Sequence, residues 1–188
     1  MEVKKLYALL QIDENYTVGK QEYWNHLWSH YVEEKKTDYQ SLSVKEAVAR
    51  FISDQNLRER RNAKSCEEFG VHIRVGDICY VDFGDAYINE IGYQHFAIII
   101  AIYHNKAFVI PMSGNEQSYE KAYHKKNMTG RKHLMQLGKM KGMNKKSVLF
   151  LNDAKFINTA RIIDVKAHLN KESPLFHEIV ERFKKCIS

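Results

Sequence analysis

His95-Phe96-Ala97-Ile98-Ile99-Ile100-Ala101-Ile102-Tyr103, then His104-Asn105, then Lys106-Ala107-Phe108-Val109-Ile110-Pro111, is the stretch on which the fold turns. The first run is apolar at consecutive positions and rich in β-branched residues, as a strand buried on both faces must be. The second is shorter, and His104-Asn105 supplies the turn between them, so the two runs predict a hairpin. The apolar run Phe96–Tyr103 has eight residues, the longest in the chain and far short of a membrane span.

Upstream, Val71, Ile73 and Val75 alternate with His72 and Arg74, and Gly76-Asp77 makes a turn. Ile78–Phe83 reads as a short strand, followed by a loop from Gly84 to Gly92. Downstream, Ser147–Leu151 and Ala160–Val165 read as two further strands. Ser173-Pro174 then opens a closing helix, with serine at the cap, proline in the first turn, and Leu175, Phe176, Ile179, Val180, Phe183 and Ile187 on its apolar face. The first seventy residues read as helical. One helix is expected over 20–34, with Trp24, Leu27, Trp28 and Tyr31 on its apolar side. A second, over about 43–60, begins at the capping box Ser43-Val44-Lys45-Glu46 and carries Val44, Ala47, Val48, Phe51 and Ile52 on one face. Arg58, Arg60, Arg61 and Lys64 suit the negative end of that helix. The fold class is therefore α+β: a helical extension (1–70), a small antiparallel barrel from about 71 to 165, and a C-terminal helix.

At 188 residues, 44% hydrophobic and 28% charged, with 2 Pro and 9 Gly, collagen-like, proline-rich and disordered classes are excluded. Cys66, Cys79 and Cys186 are odd in number and widely spaced, so neither a disulfide framework nor a paired-cysteine metal site is expected. The start of the chain lacks the apolar core of a signal peptide, and the expectation is a reduced, cytoplasmic protein. The net charge of +6 is concentrated: residues 121–146 carry nine basic and no acidic side chains. Such a segment attracts polyanions, and its Tyr123, His124 and His133 can stack on bases. A solvated, mobile loop is the plainer reading, and Met128, Met135, Met140 and Met143 can equally fill a core edge.

No glycine-rich dinucleotide or phosphate loop, zinc-protease helix or serine-hydrolase elbow is present. His26 and His30 have zinc-compatible helical spacing but stand among aromatic residues, so packing is the expected role. Asp82, Asp85 and Glu90 border one loop without the repeated spacing of a calcium site. No metal and no cofactor is expected. Chemistry points instead to His95, at the start of the buried strand, and Ser113, just after its partner. A hairpin turning at His104-Asn105 brings both to its open end. Imidazole exchanges protons near neutrality, and a hydroxyl donates to a phosphate oxygen.

The ordered features from Arg74-Val75-Gly76-Asp77-Ile78 through Asn89-Glu90, Gly92, His95-Phe96-Ala97-Ile98-Ile99, Val109-Ile110-Pro111-Met112-Ser113, Ser147-Val148-Leu149 and Asn158-Thr159-Ala160-Arg161-Ile162 resemble the MazF/PemK family of toxin endoribonucleases. The likeness covers residues 73 to 165. It implies an SH3-like barrel with a C-terminal helix, usually a homodimer, and metal-independent cleavage of single-stranded RNA under restraint by an antitoxin, here expected to be acidic. The domain would be 71–188, with 121–146 as a basic insertion. Ser113 aligns with the family's active threonine and Glu90 with its loop glutamate. His95-Phe96 stands where the family commonly has arginine-proline, and arginine is permanently charged where histidine is not.

On this reading His95 acts as base or acid, Ser113 holds a phosphoryl oxygen, and Glu90 orients His95 or a base edge. Cleavage leaves a 2′,3′-cyclic phosphate and a 5′-hydroxyl. Arg74, Tyr87, Tyr93 and Gln94 contact RNA, and Lys121, Lys125, Lys126, Arg131 and Lys132 hold its phosphates. The alternative is a non-catalytic module on the same barrel that binds RNA or a protein target, as the related CcdB family does.

Overall fold

The computed structural model describes residues 6–7, 22–124 and 126–188. Its two compact units are 1–48 and 49–188, so the boundary falls between Val48 and Ala49. In the first unit, helix α1 (Glu22–Ser41) runs seven residues past its expected end. Trp24 stacks on Trp28 at 6.1 Å, and Trp28 meets Tyr31 at 5.8 Å, so the aromatic stripe packs within its own helix.

Helix α2 (Val44–Arg60) begins as the capping box dictates: Ser43 N donates to Glu46 Oε2 at 3.0 Å and Glu46 N to Ser43 Oγ at 3.3 Å. Its expected apolar face, however, is not buried. Val44 is 81% and Phe51 60% exposed, whereas Ser53 is buried. Within the second unit α2 is anchored through polar groups, because what it meets there is a buried carboxylate and backbone carbonyls.

The second unit is a seven-stranded, wholly antiparallel sheet built from β1 (Asp77–Asp82), β2 (Gln94–Tyr103), β3 (Lys106–Ser113), β4 (Leu134–Lys139), β5 (Lys146–Phe150), β6 (Lys155–Asn158) and β7 (Ile162–His168). The path runs β4-β5-β3-β2-β1-β7, with β6 also on β3. The sheet is open, not a closed barrel: its path ends at β4 and β7. The hairpin forms as expected, with Tyr103 opposite Lys106 and His104 at φ 51°. A short helix α3 (Glu116–Glu120) follows β3. Helix α4 (Pro174–Ile187) closes the chain, with Ser173 Oγ accepting from Phe176 N at 3.2 Å.

Consecutive residues of the central strands feed two cores. Ile78, Ile98, Ile110 and Met112 join Met135, Leu149, Phe176 and Ile179 of β4, β5 and α4 on one side. Cys79, Val81, Ala97, Ile99 and Val109 join Cys66, Ile157 and Ile162 on the other. Burial pushes both the Cys66 and the Cys79 thiols up, so these cysteines act as small core residues.

Three expectations change. Val71–Val75 forms no strand; Val71 and Ile73 pack on one core and Val75 on the other without joining a ladder. Strands β4 and β6 escape the sequence reading, the first hidden among cations and the second only four residues long. The basic segment is therefore partly core. Met135 and Met143 are buried and Met140 packs beside them, while Met128 is 73% exposed.

Gly76 marks the tightest backbone approach. At φ 90° its Cβ would lie 2.0 Å from Leu169 O. Gly76→Ala is expected to cost more than about 3 kcal/mol through this clash with backbone. Gly70→Ala, at φ 71° in open space, is expected to cost about 1 kcal/mol from the backbone conformation alone. Chemical denaturation of the two variants checks the contrast.

Candidate active site

His95 is the second residue of β2 and pairs with Val81 of β1. The β2–β3 ladder ends with Phe96 opposite Met112, and His95 and Ser113 are the next residues of the two strands at the hairpin's open end. The His95 ring is half-buried, and its Nδ1 lies 2.8 Å from Gly92 O. A carbonyl only accepts, so Nδ1 carries the proton and the neutral ring presents Nε2 as its acceptor. That bond needs glycine at 92: a Cβ there would stand 2.8 Å from Ala86 Cβ. Ser113 Oγ accepts from Asn115 N at 3.2 Å, which leaves its hydroxyl hydrogen to donate elsewhere.

Glu90 does not join them. It is exposed in a turn in which Tyr87 N donates to Glu90 Oε2 at 3.4 Å, and it makes no hydrogen bond or ion pair with His95. Tyr87, 86% exposed, is the one aromatic side chain of the loop open to a base face.

Tyr93 and Gln94, expected to read bases, are engaged within the protein. The Tyr93 hydroxyl accepts from Arg50 Nε at 2.6 Å, and desolvation pushes its pKa up. Gln94 Nε2 donates to Ser53 Oγ at 2.8 Å, to Asp82 Oδ2 at 3.1 Å and to Ala49 O at 3.3 Å. Asp82 is the hub of this network. It is 4% exposed and also accepts from Ser53 Oγ at 2.7 Å, Asn56 Nδ2 at 2.6 Å and Gly84 N at 2.9 Å. Burial pushes the Asp82 carboxyl up, but the hydrogen bonds from Asn56, Ser53, Gln94 and the Gly84 amide outweigh it and hold the carboxyl below its ordinary range. This hub was not legible in the sequence because two of its donors, Ser53 and Asn56, lie nearly thirty positions upstream, on a helix whose visible pattern was apolar.

Arg74 stands at the other end of β1, beside Asp77, with Nε 3.6 Å from Asp77 Oδ1. Five strand steps separate the two ends of β1, roughly 16 Å. Arg74 is thus not gathered with His95. Asp77 also meets His168 Nδ1 at 2.8 Å. Lys121, Lys126, Arg131 and Lys132 are exposed, on a turn pinned by Arg131 N donating to Lys121 O at 2.8 Å. Lys125 lies outside the described residues. His30 pairs with Glu34 at 3.5 Å, and no group of three or more metal-ligating side chains occurs among the described residues. Nor is any helix among them long and apolar enough to cross a membrane.

No protein-family model matches the chain, and no curated protein matches it. Among solved structures it is similar to the Mycobacterium tuberculosis toxin MazF-mt6, at 11% identity and a TM-score of 0.39, over 58% of this chain and 96% of that one. The functional reading therefore rests on this chain's own residues.

The Asp82 hub yields a prediction with a definite sign. A carboxyl whose folded pKa is depressed contributes stability above its unfolded pKa and loses it as pH falls through the folded value. Stability of the native chain should therefore drop as pH falls below the ordinary carboxylate value of 3.8, and Asp82→Ala should flatten that part of the profile. Gln94→Ala should cost about 1–2 kcal/mol at neutral pH by removing a donor from the buried carboxylate. Urea denaturation across pH measures both.

Proposed function

We propose that the chain is an endoribonuclease of the toxin type that cleaves single-stranded RNA with His95 and Ser113 and needs no metal for the step. The observation that carries this reading is His95 at the hairpin's open end, next to the last β2–β3 pair as Ser113 is, with Nδ1 committed to Gly92 O and Nε2 left as the accepting nitrogen.

In the step, Nε2 takes the proton of a ribose 2′-hydroxyl and the 2′-oxygen attacks the adjacent phosphorus. The bond from phosphorus to the 5′-oxygen breaks, and that oxygen takes a proton back from the imidazolium. The products are a 2′,3′-cyclic phosphate and a 5′-hydroxyl. The Ser113 hydroxyl donates to a non-bridging oxygen as negative charge builds there. Tyr87 stacks on a neighbouring base, and the exposed cations of 121–132 hold the flanking phosphates.

The likeness in residues 73–165 supports the rest of the reading: an SH3-like barrel left open in this chain, residues 71–188 as the nucleolytic domain with 121–146 as its basic insertion, 1–70 as an extension, a homodimer, and an acidic antitoxin as partner in a type II toxin–antitoxin system acting in the cytoplasm. A second reading, a binding module on the same sheet, draws on Glu90 making no bond to His95.

Incubating the purified chain with long single-stranded RNA in EDTA and mapping the new ends separates the two. Cyclic-phosphate ends at a recurring short sequence are expected. His95→Ala should slow their formation at least about 100-fold, and Ser113→Ala should slow it about tenfold or more. RNA that shifts on a gel but stays intact would leave the binding module. Full cleavage by His95→Ala would remove His95 from the chemistry.

A further inference from the structure

The part of α2 from Arg50 onward, the end of β1 and the 3-10 turn Thr159–Arg161 enclose a pocket of about 400 Å3. Neither His95 nor Ser113 lines it. Its wall carries four guanidiniums, from Arg50, Arg60, Arg61 and Arg161, against three carboxylates, from Asp54, Asp82 and Asp85.

The carboxylates do not neutralise the wall evenly. Asp85 pairs with Arg50 at 3.6 Å, and the Asp82 oxygens are taken up by Ser53, Asn56, Gln94 and the Gly84 amide. Arg60 and Arg161 are held by neutral acceptors instead. Arg60 Nη1 donates to Ala160 O at 3.2 Å and to Ile162 O at 3.1 Å, and its guanidinium lies 4.2 Å from the centre of the Phe69 ring. Arg161 Nη1 donates to Asp82 O at 3.2 Å and Phe83 O at 3.1 Å. A backbone carbonyl fixes a guanidinium in place without cancelling its charge, so each keeps Nε and Nη2 for another acceptor. The Arg61 side chain makes no hydrogen bond or ion pair among the described residues.

We propose that this pocket binds a phosphate monoester, with Arg60, Arg61 and Arg161 on its oxygens. A carboxylate would occupy one guanidinium fork; a doubly charged group with three terminal oxygens can engage all three. Pockets of about 300–1,000 Å3 hold small organic ligands rather than lone ions. The apolar walls at Leu57 and Phe83 suit the remainder of such a molecule. The monoester can come from a free nucleotide or from the phosphorylated end of an RNA. The site stands apart from the nuclease reading and does not depend on cleavage.

Calorimetric titration of the full chain at fixed ionic strength tests it, with adenosine 5′-monophosphate and with short RNAs bearing a 5′-phosphate or a 5′-hydroxyl. Arg61→Ala, a surface change that should leave the thermal midpoint of the free protein unaltered, is expected to weaken binding of the phosphorylated probe about tenfold. Binding of the mononucleotide as tightly as the phosphorylated RNA assigns the free nucleotide. Tighter binding of the phosphorylated RNA than of either the mononucleotide or the 5′-hydroxyl RNA assigns the RNA end. Affinity for both phosphorylated probes that is absent, or unchanged in Arg61→Ala, would overturn the site.

Discussion

Strand β1 is the constraint on which the second unit depends. Its neighbours Ile78 and Cys79 point into different cores, so both faces of the strand are desolvated and every backbone group must be bonded in the ladder. That condition brings β2 to one side and β7 to the other. It also leaves a buried carboxylate at each end, Asp77 and Asp82, each of which must find donors. Asp77 takes His168 and the Arg74 amide, while Asp82 takes donors from α2, Gln94 and Gly84.

The Asp82 end therefore does two jobs through one set of bonds. It holds the latter part of α2 against the sheet, and it fixes Gln94, the residue that leads the chain into His95. The loop between β1 and β2 is closed at its base by Phe83 N donating to Tyr93 O and Tyr93 N to Gly84 O. Its tip, with Tyr87 and Glu90, is left exposed.

Local rules succeeded where a residue's neighbours in sequence are also its partners in space. The capping boxes and caps at Ser43 and Ser173, the turn at His104-Asn105 and the doubly buried run of β2 all follow from contacts within a few positions. They failed where polarity misled. The apolar positions of α2 suggested a buried stripe, yet Ser53, Asn56 and Arg60 make its contacts with the sheet. The cations of 121–146 suggested a loop, yet Leu134, Met135 and Leu137 within it form an edge strand. Arg60 and Arg61, legible as a helix terminus, line a pocket with Arg161, a hundred positions away.

Residue order and composition alone determined the α+β class, the central hairpin and the closing helix, because each follows from neighbours within a few positions. The register of the hairpin they did not determine, since a bulge between Ile99 and Ala101 shifts it by one residue from what counting back from the turn gives. Tertiary structure alone decided that the sheet stays open, that Gln94 and Tyr93 face inward to polar partners, and that Arg74 stands a strand's length from His95. The reason is physical. A turn or a cap is a local property of the chain, whereas the fate of a polar side chain depends on which buried charge or carbonyl comes within about 3 Å of it, and those partners arrive from distant segments.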